Sequence, residues 1–99
     1  MPKESTYQSR LIKHLKARYS GCVVLKNDSA YLQGFPDLTV LFGRTWAVLE
    51  VKASASESYQ PNQEFYIDHC GRMSFAAMIC PENEEEVLHE LDKAFTIYS

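Results

Sequence analysis

Two acidic residues and a lysine in the middle of the chain have types and spacing that could bind a divalent cation. Asp37 begins the run DLTVLF (37–42), and Glu50 and Lys52 end the run TWAVLEVK (45–52). Both runs are rich in β-branched and aromatic residues and predict strands. Only Gly43 and Arg44 separate them, which predicts an antiparallel hairpin with a type II′ turn. The register set by that turn places Asp37 opposite Glu50.

Opposed carboxylates in such a hairpin need a compensating charge. Their Cβ atoms would be about 4.5–5.5 Å apart, and like charges at that distance are destabilising. Lys52 lies two residues after Glu50, so it shares the same sheet face. The neighbouring Leu and Val residues predict that this group lies at the margin of a covered sheet. An oxygen-ligated divalent cation is the natural partner for the two carboxylates.

An amphipathic helix near the start of the chain adds a third acidic residue to this prediction. One arc of the helix is apolar: Tyr7, Leu11, Ile12, Leu15 and Tyr19. Glu4 and Gln8 fall inside that arc, whereas Lys3, Arg10, Lys13 and Lys16 fall on the opposite side. A polar pair directed inward needs partners, and a nearby metal with its waters would provide them. The alternative is that Glu4 only interacts favourably with the helix dipole.

The elements that must position these residues follow from hydrophobic periodicity and turn signals. The pattern predicts one domain over residues 1–99 in the order α-β-β-β-α-β-α. Helices are predicted at 5–19, from Pro61 to about residue 70, and at 82–95, and strands at 22–27, 37–42, 45–52 and 74–80. The run Glu84 to Glu86 is interpreted as a solvated helix face.

Composition and charge exclude several classes of protein. The net charge of -3 argues against a general nucleic-acid coat protein, although residues 1–60 carry eight Lys or Arg against five acids. Cys22, Cys70 and Cys80 show no CxxC pair and are interpreted as small buried hydrophobes. The absence of a long apolar run and of a signal-peptide pattern predicts a soluble cytoplasmic protein with no membrane partner.

The motifs together resemble a known nuclease family. Gly34-Phe35-Pro36-Asp37-Leu38 and Glu50-Val51-Lys52, with Glu4, Gln8 and Gln63 around them, are similar to the VRR-NUC family of the PD-(D/E)xK nuclease superfamily. That family includes phage and repair nucleases, and small phage Holliday-junction resolvases share its core. The resemblance spans nearly the whole chain. One departure is that the residues before Gln63 lack the Leu-Ser-Pro run that commonly precedes this glutamine.

The resemblance implies a fold and a chemistry. The fold would be a restriction-endonuclease-like α/β core with a mixed sheet flanked by helices. The activity would be hydrolysis of DNA phosphodiesters with Mg²⁺, for which Mn²⁺ could substitute. The implied metal ligands are Glu4, Asp37, Glu50 and the Val51 carbonyl. Lys52 would orient or deprotonate the attacking water, Gln63 would assist catalysis, and Gln8 would support the site.

The resemblance also implies the substrate and the partner. Branched DNA such as Holliday junctions or flaps is the expected substrate, and paired incision of a junction implies a homodimer. The residues that we predict to contact DNA come from the basic first half: Lys3, Arg10, Lys13, Lys26 and Arg44. A solvated mixed-charge surface is the alternative for that half. A sequence-specific restriction-type nuclease and a non-catalytic DNA-binding subunit are the alternative functions.

Overall fold

A four-stranded mixed sheet forms the centre of the molecule. The computed structural model describes residues 3–98, and these have the α/β order α-β-β-β-α-β-α that the sequence predicted. The elements are α1 (Glu4–Arg18), β1 (Val23–Lys26), β2 (Leu38–Phe42), β3 (Thr45–Val51), α2 (Gln63–Met73), β4 (Phe75–Ile79) and α3 (Glu84–Tyr98). The strand order across the sheet is β1-β2-β3-β4. The first three strands are antiparallel to one another, and β4 is parallel to β3.

The β2–β3 hairpin has the predicted register. Phe42 pairs with Thr45 and Leu38 pairs with Leu49, so the next step of the same register sets Asp37 against Glu50. Gly43 has φ 60° and Arg44 has no positive φ, as a type II′ turn requires. Because side chains alternate between faces, Asp37 and Glu50 lie on the same face of the sheet.

One face of the sheet is covered by α1 and α3 and contains the main core. The predicted arc of α1 lies in this core, although Ile12 is only half-buried there. The opposing residues of α3 are Val87, Leu88, Leu91 and Phe95. Burial of each such side chain contributes about 1.5–3 kcal/mol, so this layer fixes α1 firmly on the sheet. The start of α1, where Glu4 lies, is positioned as a consequence.

The other face of the sheet is only partly covered. Helix α2 contacts β3 and β4, and Val48 and Cys70 are buried there. The same face of β1 and β2 is open, because the side chains of Val23, Leu25 and Leu41 are exposed. Cys70 and Cys80 are buried as predicted, whereas Cys22 is only half-buried.

Helix α2 begins two residues later than the proline signal indicated. Asn62, directly before the helix, has a left-handed φ of 71°, which a continuous helix through Pro61 and Asn62 would not permit. The loop before β2 approaches Asn62 closely. Gly34 has φ 87°, and a Cβ on Gly34 would be only 2.6 Å from the Asn62 Cβ. Only glycine satisfies both conditions, so the loop before Asp37 is tightly joined to the start of α2.

The interpretation of Glu84 as part of a solvated face is wrong. Glu84 is half-buried at the start of α3, where its carboxylate accepts a hydrogen bond from Tyr7 Oη at 2.7 Å and contacts His14 Nδ1 at 3.0 Å. The cause is packing of α3 against α1, which brings together groups distant in sequence. Glu85 and Glu86 are exposed. None of the helices within residues 3–98 is long and apolar enough to cross a bilayer.

Candidate metal and catalytic site

Asp37 and Glu50 meet at the end of the β2–β3 hairpin. The Val51 N–H donates a 2.8 Å hydrogen bond to Asp37 Oδ2, which fastens the carboxylate to the next strand. The Asn27 N–H donates to the Asp37 carbonyl at 2.8 Å and continues the pairing of β1 with β2. Asp37 is therefore held from both sides and is half-buried, while Glu50 is buried with 2% of its surface exposed.

Gln63 connects the two other polar groups of the site. Its Nε2 donates to Glu50 Oε2 at 3.0 Å, and its Oε1 accepts from Lys52 Nζ at 2.9 Å. The same Oε1 accepts from the Gln60 N–H at 2.7 Å, which fixes the amide orientation. Gln63 is the first residue of α2, so the left-handed residue before it determines where this amide points. The structure thus brings Gln63 together with Glu50 and Lys52.

The second oxygen of Glu50 has no donor. As a carboxylate, Glu50 has its Oε1 buried without a hydrogen-bond partner among residues 3–98. The pKa of Glu50 is raised to about 8, and the largest cause is burial. The Asp37 carboxylate also raises it, first through its negative charge and then because it can accept the Glu50 proton in a hydrogen bond. Lys52 opposes this shift. A buried carboxylate oxygen without a partner is costly, and a cation at this point would satisfy it.

Lys52 is a buried ammonium group beside these carboxylates. Only 4% of its surface is exposed, and Nζ lies 3.7 Å from Glu50 Oε2 in addition to its bond with Gln63. A long cationic side chain is rarely buried so fully unless it is paired. The Lys52 N–H donates to the Ile79 carbonyl at 2.9 Å, so the backbone of this residue is fixed by β4.

Glu4 lies close enough to the hairpin for electrostatic interaction. Partial burial, then the charges of Asp37 and Glu57, raise the pKa of Glu4, while Lys52 lowers it. The Glu4 side chain is exposed, and Gln8 one turn later is half-buried. Within residues 3–98, no three His, Cys, Asp or Glu side chains lie close enough to form a metal site by themselves. The ligand role of Glu4 stays a prediction.

Glu57 is a site residue that sequence reasoning missed. Its Oε2 accepts from the Ala53 N–H at 2.7 Å and the Ser54 N–H at 3.1 Å, and its charge acts on Glu4. These bonds order the turn that follows Lys52. A signal was available, because Ser54 and Glu57 have the Ser-x-x-Glu spacing of a capping box.

The basic residues predicted to contact DNA are all exposed, but they do not form one patch. Lys26 pairs with Leu38, the neighbour of Asp37, and so lies at the site end of the sheet. Arg44 lies in the hairpin turn at the opposite end. Arg10 lies over the Tyr7 ring, with its guanidinium carbon 5.4 Å from the ring centroid. It also borders a depression lined by acidic residues of the 82–85 segment, and these negative charges disfavour a contact with DNA phosphates there. Lys3 directly precedes Glu4, and Lys13 faces outward on α1.

The site combines a carboxylate pair, a backbone-anchored turn and a buried lysine held by an amide. Such a set can bind a divalent cation and hold a fixed positive charge beside a phosphate or a water molecule. Comparisons of the chain with protein-family models, with curated proteins and with solved structures find no match to it.

Proposed function

We propose that this protein is a metal-dependent endodeoxyribonuclease that hydrolyses phosphodiester bonds in branched or otherwise structured DNA. The proposal includes a VRR-NUC type of restriction-endonuclease-like core. The motifs that resemble this family include Asp37, Glu50, Lys52 and Gln63. The hydrogen bonds that these four residues make in the site support the proposal.

The observation that carries the proposal is the free oxygen of Glu50. Glu50 Oε2 is occupied by Gln63, whereas the buried Oε1 has no donor beside a second carboxylate. This donor set fits Mg²⁺, which prefers carboxylate oxygens and retains several waters. Asp37 and Glu50 would hold the ion, with Glu4 and the Val51 carbonyl completing the ligands. Bound Mg²⁺ would lower the pKa of a coordinated water and neutralise charge on the phosphate.

The chain's own residues have distinct tasks in this scheme. Lys52 donates to Gln63, so its ammonium group is restricted in position and its charge is directed toward the carboxylate pair. From there it would orient the attacking water or stabilise the phosphate charge in the transition state. Gln63 is a positioning residue, because its amide holds both Lys52 and Glu50. Its Oε1 already accepts two hydrogen bonds, from Lys52 and from the Gln60 N–H.

The decisive experiment is cleavage of a panel of DNAs by the purified protein. Branched, flapped, single-stranded and linear duplex DNAs are incubated with Mg²⁺, with Mn²⁺ or with a chelator. We expect cleavage of branched DNA only with metal, and none by Lys52→Ala. Glu85→Gln, which removes an exposed carboxylate of α3, is the matched control and should cleave normally.

Other outcomes would identify the competing functions. Cleavage of linear duplex at one sequence would indicate a restriction-type nuclease. Tight DNA binding without cleavage under any metal condition would indicate a non-catalytic subunit. We further propose a homodimer, since one site cuts one strand and paired incision needs two. Sedimentation of the protein with and without DNA tests that point.

A further inference from the structure

A row of aromatic side chains leads from the catalytic residues to the surface. Phe35, two residues before Asp37, contacts Tyr66 with ring centroids 5.5 Å apart. Tyr66 contacts Phe65 at 5.2 Å, and Phe65 stacks on His69 at 5.5 Å with the ring planes 8° apart. We call Phe35, Tyr66, Phe65 and His69 the aromatic row. Phe65 is 61% exposed, so this end of the row is accessible to solvent.

A small cavity lies beside this row. It has a volume of about 340 Å³ and is lined by Asn27, Asp28, Tyr31, Leu32 and Phe35. Small-ligand pockets have volumes of about 300–1,000 Å³, so the cavity has room for a group the size of a nucleobase. The Tyr31 ring is 87% exposed at the cavity edge, where core packing does not explain it. We call this space the loop cavity.

The loop cavity is mechanically joined to the proposed catalytic end of the sheet. Asn27 Nδ2 donates to the Pro36 carbonyl at 2.8 Å, and the Asn27 N–H donates to the Asp37 carbonyl. The contact between Gly34 and Asn62 then joins the same loop to the helix that carries Gln63. The cavity residue Asn27 is therefore bonded directly to the backbone of Asp37.

The charge around the cavity selects the kind of ligand. Asp28 lines it, with Oδ1 accepting the Ala30 N–H at 2.8 Å, and a carboxylate in this position repels phosphate. A carboxylate also accepts hydrogen bonds from exocyclic amino groups of bases. Aromatic rings stack on the flat faces of bases whatever their sequence. The surface thus suits a nucleobase and not the DNA backbone.

We propose, on the basis of the nuclease function above, that an unpaired nucleobase of the substrate binds in the loop cavity and that its neighbour stacks on Phe65. Paired bases are inaccessible to both surfaces, because their faces are covered within the duplex stack. The enzyme would consequently act on DNA that has a single-stranded segment beside the cut, such as a flap or splayed branch. A fully paired four-way junction would be a poorer substrate.

The test uses DNA duplexes with a short unpaired tail that carries 2-aminopurine, whose fluorescence decreases on stacking. Binding is measured in chelator, so that no cleavage interferes. We expect wild type to quench the fluorescence and to bind tailed DNA better than blunt duplex. Phe65→Ala and Tyr31→Ala should each weaken binding of tailed DNA by about 5-fold to 150-fold, the usual loss for one base stack.

Matched variants separate stacking from general effects. Phe65→Trp should retain the quenching, because it keeps an aromatic face. Met73→Ala removes a side chain that is 59% exposed on the same helix but lies outside the aromatic row, and it should bind tailed DNA as wild type does. Blunt-duplex affinity should be unchanged in Phe65→Ala, since no unpaired base is present.

The two proposals can fail separately. Normal cleavage by wild type combined with unchanged tail binding by Phe65→Ala and Tyr31→Ala would overturn the base site and leave the nuclease. Quenching by wild type without cleavage under any metal condition would overturn the nuclease and leave the base site. If Phe65→Ala instead converts a dimer to a monomer in sedimentation, the row is a contact between copies and the base site is wrong.

Discussion

Replacing Glu50 by glutamine should make the metal-free protein more stable, and increasingly so as the pH rises. The pKa of Glu50 is raised to about 8, by burial first and by Asp37 second, from an ordinary value of 4.5. Below pH 4.5 the carboxyl group is neutral in both the folded and the unfolded protein, so folding is unaffected. Between pH 4.5 and about 8 the unfolded chain ionises first, and the folded state loses stability as the pH increases.

The size of the effect follows from that shift. Above about pH 8, ionisation of Glu50 lowers the unfolding free energy of the metal-free protein by at most about 5 kcal/mol. Near pH 7 the loss is about 3 kcal/mol. A domain of this size changes its Tm by about 4–8 °C per kcal/mol. The neutral amide introduced by Glu50→Gln avoids the penalty, and it could donate to Asp37 where Glu50 Oε1 has no donor. This penalty grows by about 3 kcal/mol between about pH 5.5 and about pH 8.5, so we expect the Tm difference between variant and wild type to grow by roughly 12–25 °C over that range.

The assay is thermal unfolding followed by circular dichroism in chelator over this pH range. Comparing variant with wild type at each pH cancels the titrating groups that do not interact with Glu50. Glu85→Gln, which removes an exposed charge, controls for the change in net charge. The reasoning is refuted if the variant is less stable than wild type at both ends of the range. It is also refuted if the Tm difference does not grow with pH, because the Glu50 charge would then not destabilise the metal-free protein.

Three further predictions test other parts of the molecule. Gly34→Ala should destabilise the protein by about 1–3 kcal/mol in urea unfolding, and more than Gly21→Ala, which has a similar φ of 86° but no atom within 4 Å of its Cβ. Asp92→Asn should lower the Tm at neutral pH and lose this effect as the pH falls below about 4, because the Arg18 guanidinium lowers the pKa of Asp92 and the stabilisation needs the ionised carboxylate. Lys26→Ala should weaken DNA binding and reduce the salt dependence of log Kd by about one ion, whereas Arg44→Ala, at the far end of the hairpin, should have a smaller effect.

Local rules were sufficient to predict the hairpin and its register. A two-residue turn beginning with glycine leaves few alternatives, and the register then follows from alternation along the strands. The order of all seven elements was also predictable from periodicity. For most helix and strand ends, the predicted boundary lies within about two residues of the observed one. The carboxylate pair of Asp37 and Glu50 follows from these local constraints alone.

Contacts between distant elements were not predictable in this way. Gln63 bonds to Glu50 and Lys52 from the start of α2, directly after the left-handed Asn62 that lies against Gly34, and nothing in the local pattern indicates these contacts. Glu84 lies three, four and seven residues before Val87, Leu88 and Leu91, so a helical projection places it on the apolar side of α3. Its hydrogen-bond partner Tyr7, at the other end of the chain, follows only from the packing of α3 on α1. Such contacts depend on how layers pack and not on the periodicity of either segment.

The hydrogen bond between the Val51 N–H and Asp37 changes what we expect from deleting the Asp37 carboxylate. Two opposed charges suggest that deleting either carboxylate would stabilise the metal-free protein. Asp37 Oδ2, however, accepts the Val51 N–H, and Asp37→Ala would leave that donor unsatisfied at a cost of about 1–3 kcal/mol. Asp37→Asn retains an oxygen acceptor and is the better variant for separating charge from structure.

The Gly43–Arg44 turn makes the proposed metal site sensitive to a length change far from its carboxylates. The turn lies six residues from Asp37, roughly 20 Å along an extended strand. Inserting or deleting one residue there would shift β3 against β2 by one step and turn Glu50 and Lys52 away from Asp37, while the hydrophobic content of the strands stayed the same. Loops are usually the parts of a protein that tolerate insertions. In this hairpin the loop length itself determines whether the carboxylates meet, and a deep insertion scan read out by the proposed DNA cleavage should find the turn as intolerant as Asp37 and Glu50.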